Sequence, residues 1–138
     1  MKKKVLFVCT GNSCRSQIAE GLVKHIAGSN FEVSSAGTNP SPINPYATEV
    51  MNEKGIDISK QRSKSLQEFI NDKFDFIITV CDHAKASCPI FPGKYKLIHW
   101  NLEDPAAVRG ARKEKLAVFR LTRDEIEQRI RTFIREYS

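Results

Sequence analysis

The sequence lacks any apolar run that approaches the roughly 18 residues needed to span a membrane. Its first apolar run, residues 5–8, ends at Cys9 and is too short for the core of a signal peptide. Internal repeats, low-complexity tracts and linkers are also absent. We therefore expect a cytoplasmic protein that does not bind membranes and that forms one domain over residues 1–138.

Cysteine is scarce, with four residues in a chain of 138, and no secretory signal accompanies them. In a reducing compartment, cysteines tend to be catalytic, redox-active or metal-bound, whereas structural disulfides are rare. The positions of these four thiols are therefore the first guide to function.

The chain also lacks the motifs of nucleic-acid binding, although its net charge of +6 suits an anionic partner. Basic residues are interspersed with acidic ones over residues 123–129, which is typical of a solvated helix face. The basic segment 109–115 has no interleaved aromatic residues. These patterns argue against a nucleic-acid partner and favour a small oxyanion.

Regular elements alternate along the chain. Four apolar runs predict strands, at residues 5–8, 31–33, 74–80 and 95–100. Helical spacing predicts helices over residues 16–27, 45–54, 65–70 and 116–137, with Asn44 as an N-cap and Gly28 at a C-terminus. This order predicts an α/β fold in which helices cover both faces of a four-stranded parallel sheet. Ligands of such sheets bind beyond the carboxyl ends of the strands, where Cys9, Cys81 and residues 100–104 should converge.

The central motif lies between the first strand and the first helix, where Cys9 is followed by five residues, Arg15 and Ser16. A short loop that enters a helix directs backbone N–H groups and the helix dipole at one point, which favours a tetrahedral oxyanion. The predicted oxyanion-binding residues are Thr10, Gly11, Asn12, Ser13, Cys14, Arg15 and Ser16. Arg15 adds a bidentate donor, and the same field predicts a depressed pKa and a nucleophilic role for Cys9.

Simpler interpretations of the motif are also open. Cys9 is alternatively a buried thiol at the end of a strand, although the glycine, arginine and serine around it match the chemistry better. The loop lacks the Gly-Lys-Ser/Thr ending of a Walker A motif. Cys14 either pairs with Cys9 under oxidation or fills the loop, and filling is the preferred interpretation.

With this loop and the later Ser34-Ser35-Ala36-Gly37, nearly the whole chain resembles the low-molecular-weight protein tyrosine phosphatase superfamily. The resemblance implies that Cys9 attacks the oxyanion centre and that Arg15 stabilises it. It also implies a general acid in a late Asp-Pro pair, which Asp104 and Pro105 match. Without the resemblance, this pair is commonly a turn or a helix start.

Within the superfamily, the chain is similar to thioredoxin-coupled arsenate reductases. Cys81 ends the third predicted strand and Cys88 precedes a proline, as in that branch, whereas the phosphatases generally have Met-Asp-x-x-Asn here. The phosphatases usually place an aromatic residue after Asp-Pro, and this chain has Ala106. The similarity implies arsenate reduction in arsenic detoxification.

The implied chemistry is a disulfide relay. Cys9 attacks arsenate, Cys81 then attacks Cys9 and releases arsenite, and Cys88 closes a disulfide with Cys81. The resemblance implies thioredoxin as electron donor and no other cofactor. Phosphate or sulfate should compete for the same loop, because phosphorus is hard to reduce. We expect the protein to act as a monomer.

The spacing of Cys81 and Cys88 sets a physical condition on that relay. Across unbroken helix their Cα atoms would lie roughly 10 Å apart, beyond the ~7 Å that a disulfide spans. The segment between them must therefore bend or unwind, and its small residues Ala84, Ala86 and Ser87 allow this.

Three other functions remain open at this stage. A phosphatase would need only Cys9, Arg15 and Asp104, and a redox-sensitive oxyanion sensor would not need Asp104. A metal could bind Cys81, His83 and Cys88, although the spacing lacks a short Cys pair and a fourth ligand.

One further expectation concerns a cation. Some related reductases hold potassium below the loop through residues that resemble Asn12, Glu20 and Ser35, plus an acidic side chain after a short Ser/Thr run, and Lys64 stands near that last position. We predict that no metal is required, since the Lys64 ammonium can replace the ion. His25 and His99 are expected to be packing or surface residues.

Overall fold

The computed structural model describes every residue from Met1 to Ser138. Its strands are β1 (Lys3–Cys9), β2 (Phe31–Gly37), β3 (Phe76–Thr79) and β4 (Lys96–His99). Its α-helices are α1 (Arg15–Ala27), α2 (Pro45–Asn52), α3 (Asp82–Ser87) and α4 (Arg112–Tyr137), with 3-10 turns at Leu66–Phe69 and Pro105–Ala107. The strands are parallel and lie in the order β2-β1-β3-β4. The predicted α/β class and four-stranded parallel sheet are confirmed.

The central strand explains the apolar run near the start of the chain. Strand β1 has hydrogen-bonded neighbours on both sides, and residues 5–8 are completely buried. A parallel strand covered on both faces needs apolar side chains at every position, which gives a continuous run instead of alternation. Among the helices, α1 packs against β2 and α4, and α4 also packs against α2.

Several element boundaries differ from the predictions. Strand β2 continues to Gly37, because Ser34 and Ser35 pair with Leu6 and Phe7 although serine gives no apolar signal. Helix α3 was absent from the predicted helices, and residues 66–69 form a 3-10 turn. Gly28 follows α1 as predicted, but its φ of −62° is right-handed.

The sheet places the loops of interest side by side. Val8 on β1 pairs with Thr79 on β3, so Cys9, the last residue of β1, and Cys81, just after β3, lie at the same edge of the sheet. The N–H of Trp100 donates to the carbonyl of Thr79, which brings the segment after β4 to this edge as well. None of the helices is sufficiently long and apolar to cross a membrane.

Candidate active site

The loop between β1 and α1 is held from outside by the segment after β2. Backbone N–H groups at residues 38, 39, 41 and 44 donate to the carbonyls of residues 9, 10, 11 and 13 over 2.8–3.1 Å. The N–H of a trans peptide points away from its carbonyl, so this pairing leaves the loop amides directed towards the opposite, inner side. The loop therefore presents N–H donors to a ligand on that side.

Asn12 and Gly37 shape this loop. Asn12 has a left-handed backbone (φ +48°), and its N–H donates to the Sγ of Cys9 over 3.1 Å. Its side-chain Nδ2 donates to the hydroxyls of Ser16 (2.8 Å) and Ser35 (2.9 Å). A Cβ on Gly37 would lie 2.5 Å from the carbonyl oxygen of Thr10, so only glycine permits the close approach of β2 to the loop.

The thiol of Cys9 lies at the bottom of the loop, with 2% of its surface exposed. Burial raises the pKa of the Cys9 thiol above its ordinary value, and hydrogen bonds from Ser16 and Asn12 together with the charge of Arg15 offset only part of this effect. The predicted depressed pKa is therefore wrong in direction. The sequence shows the groups that stabilise a thiolate, but not how completely the fold encloses the sulfur.

Arg15 is fixed at the rim of the loop, and one of its N–H donors has no acceptor. Its Nη1 donates to the carbonyl of Leu102 (3.0 Å), and its Nη2 lies 3.9 Å from the Oδ2 of Asp104. The Nε of Arg15 is buried and has no acceptor among the protein atoms. An oxyanion oxygen in the loop would supply that acceptor, because a buried donor is costly when it is unpaired.

These groups line one cleft of about 310 Å³. Its walls are the loop from Cys9 to Arg15, the carboxylate of Asp104 and residues 39–41. Asp104 caps the 3-10 turn that begins at Pro105, since its Oδ1 accepts the N–H of Ala106 over 3.0 Å. The structure thus brings Cys9, Arg15 and Asp104 together, as the sequence predicts.

Cys14 is the loop thiol without an assigned role. It is 4% exposed, and its Sγ lies 3.6 Å from the Oγ of Ser13 and 4.0 Å from the Oδ1 of Asp104. Burial raises the pKa of Cys14 to about 11, so it is a neutral thiol at physiological pH. A neutral buried thiol suits the interpretation that Cys14 fills the loop.

Cys81 and Cys88 flank helix α3. The Sγ of Cys81 caps the helix, since it accepts the backbone N–H of Ala84 over 3.4 Å. The same sulfur lies 3.3 Å from the Oγ1 of Thr10 in the loop. Cys88 follows the helix and is half-buried, and burial raises its pKa. All four thiols of the chain are free. Cys81 therefore lies directly beside the loop that carries Cys9, and one short helix separates Cys81 from Cys88.

Two features of the site were not anticipated. Residues 39–41 line the cleft, although their sequence, Asn-Pro-Ser, signals only a turn. His99 is more than a packing residue, since its Nδ1 is 2.8 Å from the Oγ1 of Thr79 and its Nε2 is 3.1 Å from the Oδ1 of Asp82. It links the sheet to the first residue of α3.

The structure provides a site neither for a metal at Cys81, His83 and Cys88 nor for potassium below the loop. Cys81, His83 and Cys88 do not come together, and no group of three or more His, Cys, Asp or Glu side chains is arranged to hold an ion. Below the loop, the Nζ of Lys64 lies 3.6 Å from the Oε1 of Glu20. The residues there do not fit a potassium ion, because an ammonium already accompanies the carboxylate.

Comparison with known proteins agrees with this geometry. The family model described as low molecular weight phosphotyrosine protein phosphatase matches residues 4–138. The chain is 47% identical over 132 residues to an arsenate reductase of Halalkalibacterium halodurans, covering 96% of this chain and 95% of the relative.

Solved structures of both activities resemble the chain closely. An arsenate reductase in the phosphate binding state has a TM-score of 0.80 at 36% identity, covering 99% of both chains. A thioredoxin-dependent arsenate reductase of Corynebacterium glutamicum has a TM-score of 0.77 at 34% identity, covering 98% of this chain and 61% of that one. A low molecular weight protein tyrosine phosphatase from T. tengcongensis has a TM-score of 0.80 at 30% identity, covering 98% of this chain and 99% of that one. The chain therefore belongs to the low molecular weight phosphotyrosine protein phosphatase family.

Proposed function

We propose that this protein reduces arsenate to arsenite through a relay of Cys9, Cys81 and Cys88, with thioredoxin as electron donor. The observation that carries the proposal is the 3.3 Å contact between the Oγ1 of Thr10 and the Sγ of Cys81. A phosphatase has no use for a second buried thiol beside its nucleophile. The 47% identity to a protein named arsenate reductase supports the same activity.

The first step is attack of the Cys9 sulfur on arsenic. Loop amides and the Nε of Arg15 hold the oxygens, and the Asp104 carboxyl protonates the departing oxygen, which leaves as water. Because burial raises the pKa of Cys9, its proton must leave during the attack, and an oxygen of the arsenate dianion can accept it. The product is a Cys9–arsenic(V) adduct.

The second and third steps move two electrons. The Cys81 sulfur attacks Cys9, the sulfur–arsenic bond breaks, and its electron pair stays on arsenic, which leaves as arsenite. Cys88 then attacks Cys81, so that a Cys81–Cys88 disulfide forms and the Cys9 thiolate is released. A thioredoxin dithiol reduces this disulfide and regenerates the protein.

Helix α3 must change shape in the third step. Its residues Asp82–Ser87 lie between the two thiols. An unbroken helix over this span would place the two Cα atoms roughly 10 Å apart, whereas a disulfide spans no more than ~7 Å. Unwinding of this short helix would bring Cys88 to Cys81 and expose the new disulfide to its reductant.

Phosphatase activity is the second candidate, because Cys9, Arg15 and Asp104 also line one cleft in the arrangement that phosphoryl transfer needs. The residue after Pro105 is Ala106, at a position where an aryl substrate would call for an aromatic side chain. We therefore propose that aryl-phosphate hydrolysis is at most a slow side reaction.

The proposal also covers the competing oxyanions, the cofactors, the oligomeric state and the cellular compartment. Phosphate and sulfate compete for the loop, and no resident metal or organic cofactor takes part. The protein acts as a monomer and a single domain in the cytoplasm, where thioredoxin keeps such thiols reduced.

Arsenate-dependent NADPH oxidation in the presence of thioredoxin and its reductase tests the function. We expect activity in the native protein, complete loss in Cys9→Ser, and a loss of several orders of magnitude in Cys81→Ser. Cys14→Ser is the matched control, because it removes a buried thiol of the same loop and should retain most activity. Rapid aryl-phosphate hydrolysis that is unaffected by Cys81→Ser would instead establish the phosphatase.

A further inference from the structure

A buried ion pair lies beneath the oxyanion loop. Lys64 is 9% exposed and Glu20, on α1, is 3% exposed, with 3.6 Å between Nζ and Oε1. The Lys64 ammonium also donates to the carbonyl of Arg62 over 2.6 Å. The other oxygen of Glu20 accepts from Lys24, which is exposed on the next turn of α1.

The pair connects to the nucleophile through a short chain of hydrogen bonds. The Ser35 hydroxyl donates to the Oε1 of Glu20 over 2.6 Å, and the Nδ2 of Asn12 donates to that hydroxyl over 2.9 Å. From the other side, the backbone N–H of Lys64 donates to the Oδ1 of Asn12 over 2.8 Å. Each end of the Asn12 amide therefore contacts a group that adjoins the pair, in addition to Ser16 at its Nδ2 and Gln17 at its Oδ1.

Asn12 needs this support. Its left-handed backbone is a conformation that residues with side chains rarely adopt, although asparagine tolerates it better than most, so contacts around the loop stabilise it. The same residue aims its N–H at the sulfur of Cys9. Loss of the Lys64–Glu20 ion pair would free the backbone amide of Asn12 and disturb the orientation of the Cys9 sulfur.

The buried negative charge of Glu20 explains why a lysine lies beside it. A carboxylate as buried as Glu20 is strongly destabilising unless a cation accompanies it. Burial lowers the pKa of Lys64, and the charge and hydrogen bond of Glu20 offset part of this effect. With Lys24 on its second oxygen, Glu20 already faces two ammonium groups, and a further cation would be repelled.

We propose that Lys64 is a positioning residue that serves as the built-in cation of the oxyanion loop. Its ammonium neutralises Glu20 and thereby holds Asn12, so that anion binding and Cys9 reactivity are independent of potassium. The inference concerns the same loop as the proposed function, but it requires only that the loop binds an oxyanion.

The experiment measures phosphate affinity by calorimetry and the alkylation rate of Cys9 by mass spectrometry. Both are recorded in potassium chloride and in choline chloride at equal ionic strength, for native protein and for Lys64→Met. We expect the native values to agree within twofold between salts. Lys64→Met should bind phosphate about tenfold more weakly in choline chloride and regain most of that loss in potassium chloride, as a coupling of about 1.4 kcal/mol would give.

Two controls separate the charge from general damage. Lys24→Met removes the exposed ammonium from the same carboxylate and should show no difference between the salts. The double variant Glu20→Gln, Lys64→Met removes both charges, and it should fold and lose the response to potassium because no carboxylate remains. If Lys64→Met alone does not fold, recovery of folding in this double variant still supports the ion pair.

Three results would overturn the inference. They are a potassium-specific gain in phosphate affinity for the native protein, native phosphate affinity in Lys64→Met in choline chloride, and a double variant that is as unfolded as the single one. None of these measurements requires arsenate reduction, so a protein that proves to be a phosphatase leaves the test intact.

Discussion

The hydroxyl of Ser16 lies 2.7 Å from the sulfur of Cys9. The Nδ2 of Asn12 donates to the same hydroxyl oxygen over 2.8 Å, which leaves the Ser16 proton available for donation to the sulfur once the thiolate forms. Ser16 is completely buried in the first turn of α1, so bulk solvent does not reach its hydroxyl. The hydroxyl is therefore a dedicated donor to the thiolate that forms during the reaction.

Replacing Ser16 by alanine should raise the pKa of Cys9 further. The donated hydrogen bond stabilises the thiolate, and bonds to a charged group contribute about 1.5–3 kcal/mol, so alkylation of Cys9 at pH 7 should slow by at least tenfold. The rate of iodoacetamide labelling at the Cys9 peptide, followed against pH by mass spectrometry, measures this. Ser13→Ala, which removes a hydroxyl that does not contact Cys9, is the control. A Ser16→Ala profile that lies at or below the native pKa would refute the donor role.

The native pH profile of Cys9 tests the direction of its pKa shift. Because burial raises this pKa, the thiol form dominates at neutral pH, and the labelling rate should still be rising above pH 9 in phosphate-free buffer. A plateau reached near pH 6 or 7 would show that the loop amides and helix dipole overcome the burial.

Replacing Cys88 by serine should stop the relay after about one turnover. Cys9 and Cys81 can still exchange, so the protein should accumulate a Cys9–Cys81 disulfide that mass spectrometry of non-reduced peptides detects. Ser87→Ala, which alters the adjacent exposed residue, should turn over normally. Continued turnover of Cys88→Ser with thioredoxin as the only reductant would remove Cys88 from the relay.

Replacing Asp104 by asparagine should separate catalysis from binding. Loss of a general acid typically costs 10²–10⁴-fold in rate, and we expect a decrease of about this size in kcat. Phosphate inhibition should be unchanged or stronger, because a negative charge 3.9 Å from Arg15 is removed. Glu103→Gln neutralises the exposed neighbour and serves as control. Equal loss of phosphate binding and turnover would indicate a structural role for Asp104.

The link from His99 to Asp82 should hold α3 in place. Replacing His99 by leucine removes its contacts with Thr79 and Asp82 without altering the helix sequence, so the α3 amides should exchange roughly three- to tenfold faster. Oxidation to the Cys81–Cys88 disulfide should accelerate as well, because it requires unwinding. His25→Leu is the control, since its exposed ring contacts neither element. Unchanged exchange in His99→Leu would show that the link does not restrain α3.

Local patterns were sufficient for much of the fold. The buried run at residues 5–8, the Asn44-Pro45 helix start and the helical spacing after residue 116 each depend on neighbours in the chain, and all three elements are present. The predicted strand β2 is too short because Ser34 and Ser35 pair with β1 and Ser35 is buried against the loop, which a local hydrophobic pattern does not record.

The sequence by itself determined which chemistry this protein carries, since Cys9, Arg15 and Ser16 stand at fixed offsets within one loop and local geometry then follows. Only the tertiary structure decided how those groups behave. The burial that raises the pKa of Cys9, the wall at residues 39–41 and the 3.3 Å approach of Thr10 to Cys81 all join segments far apart in the chain. Desolvation and distance depend on the packing of the whole fold, and no local pattern encodes them.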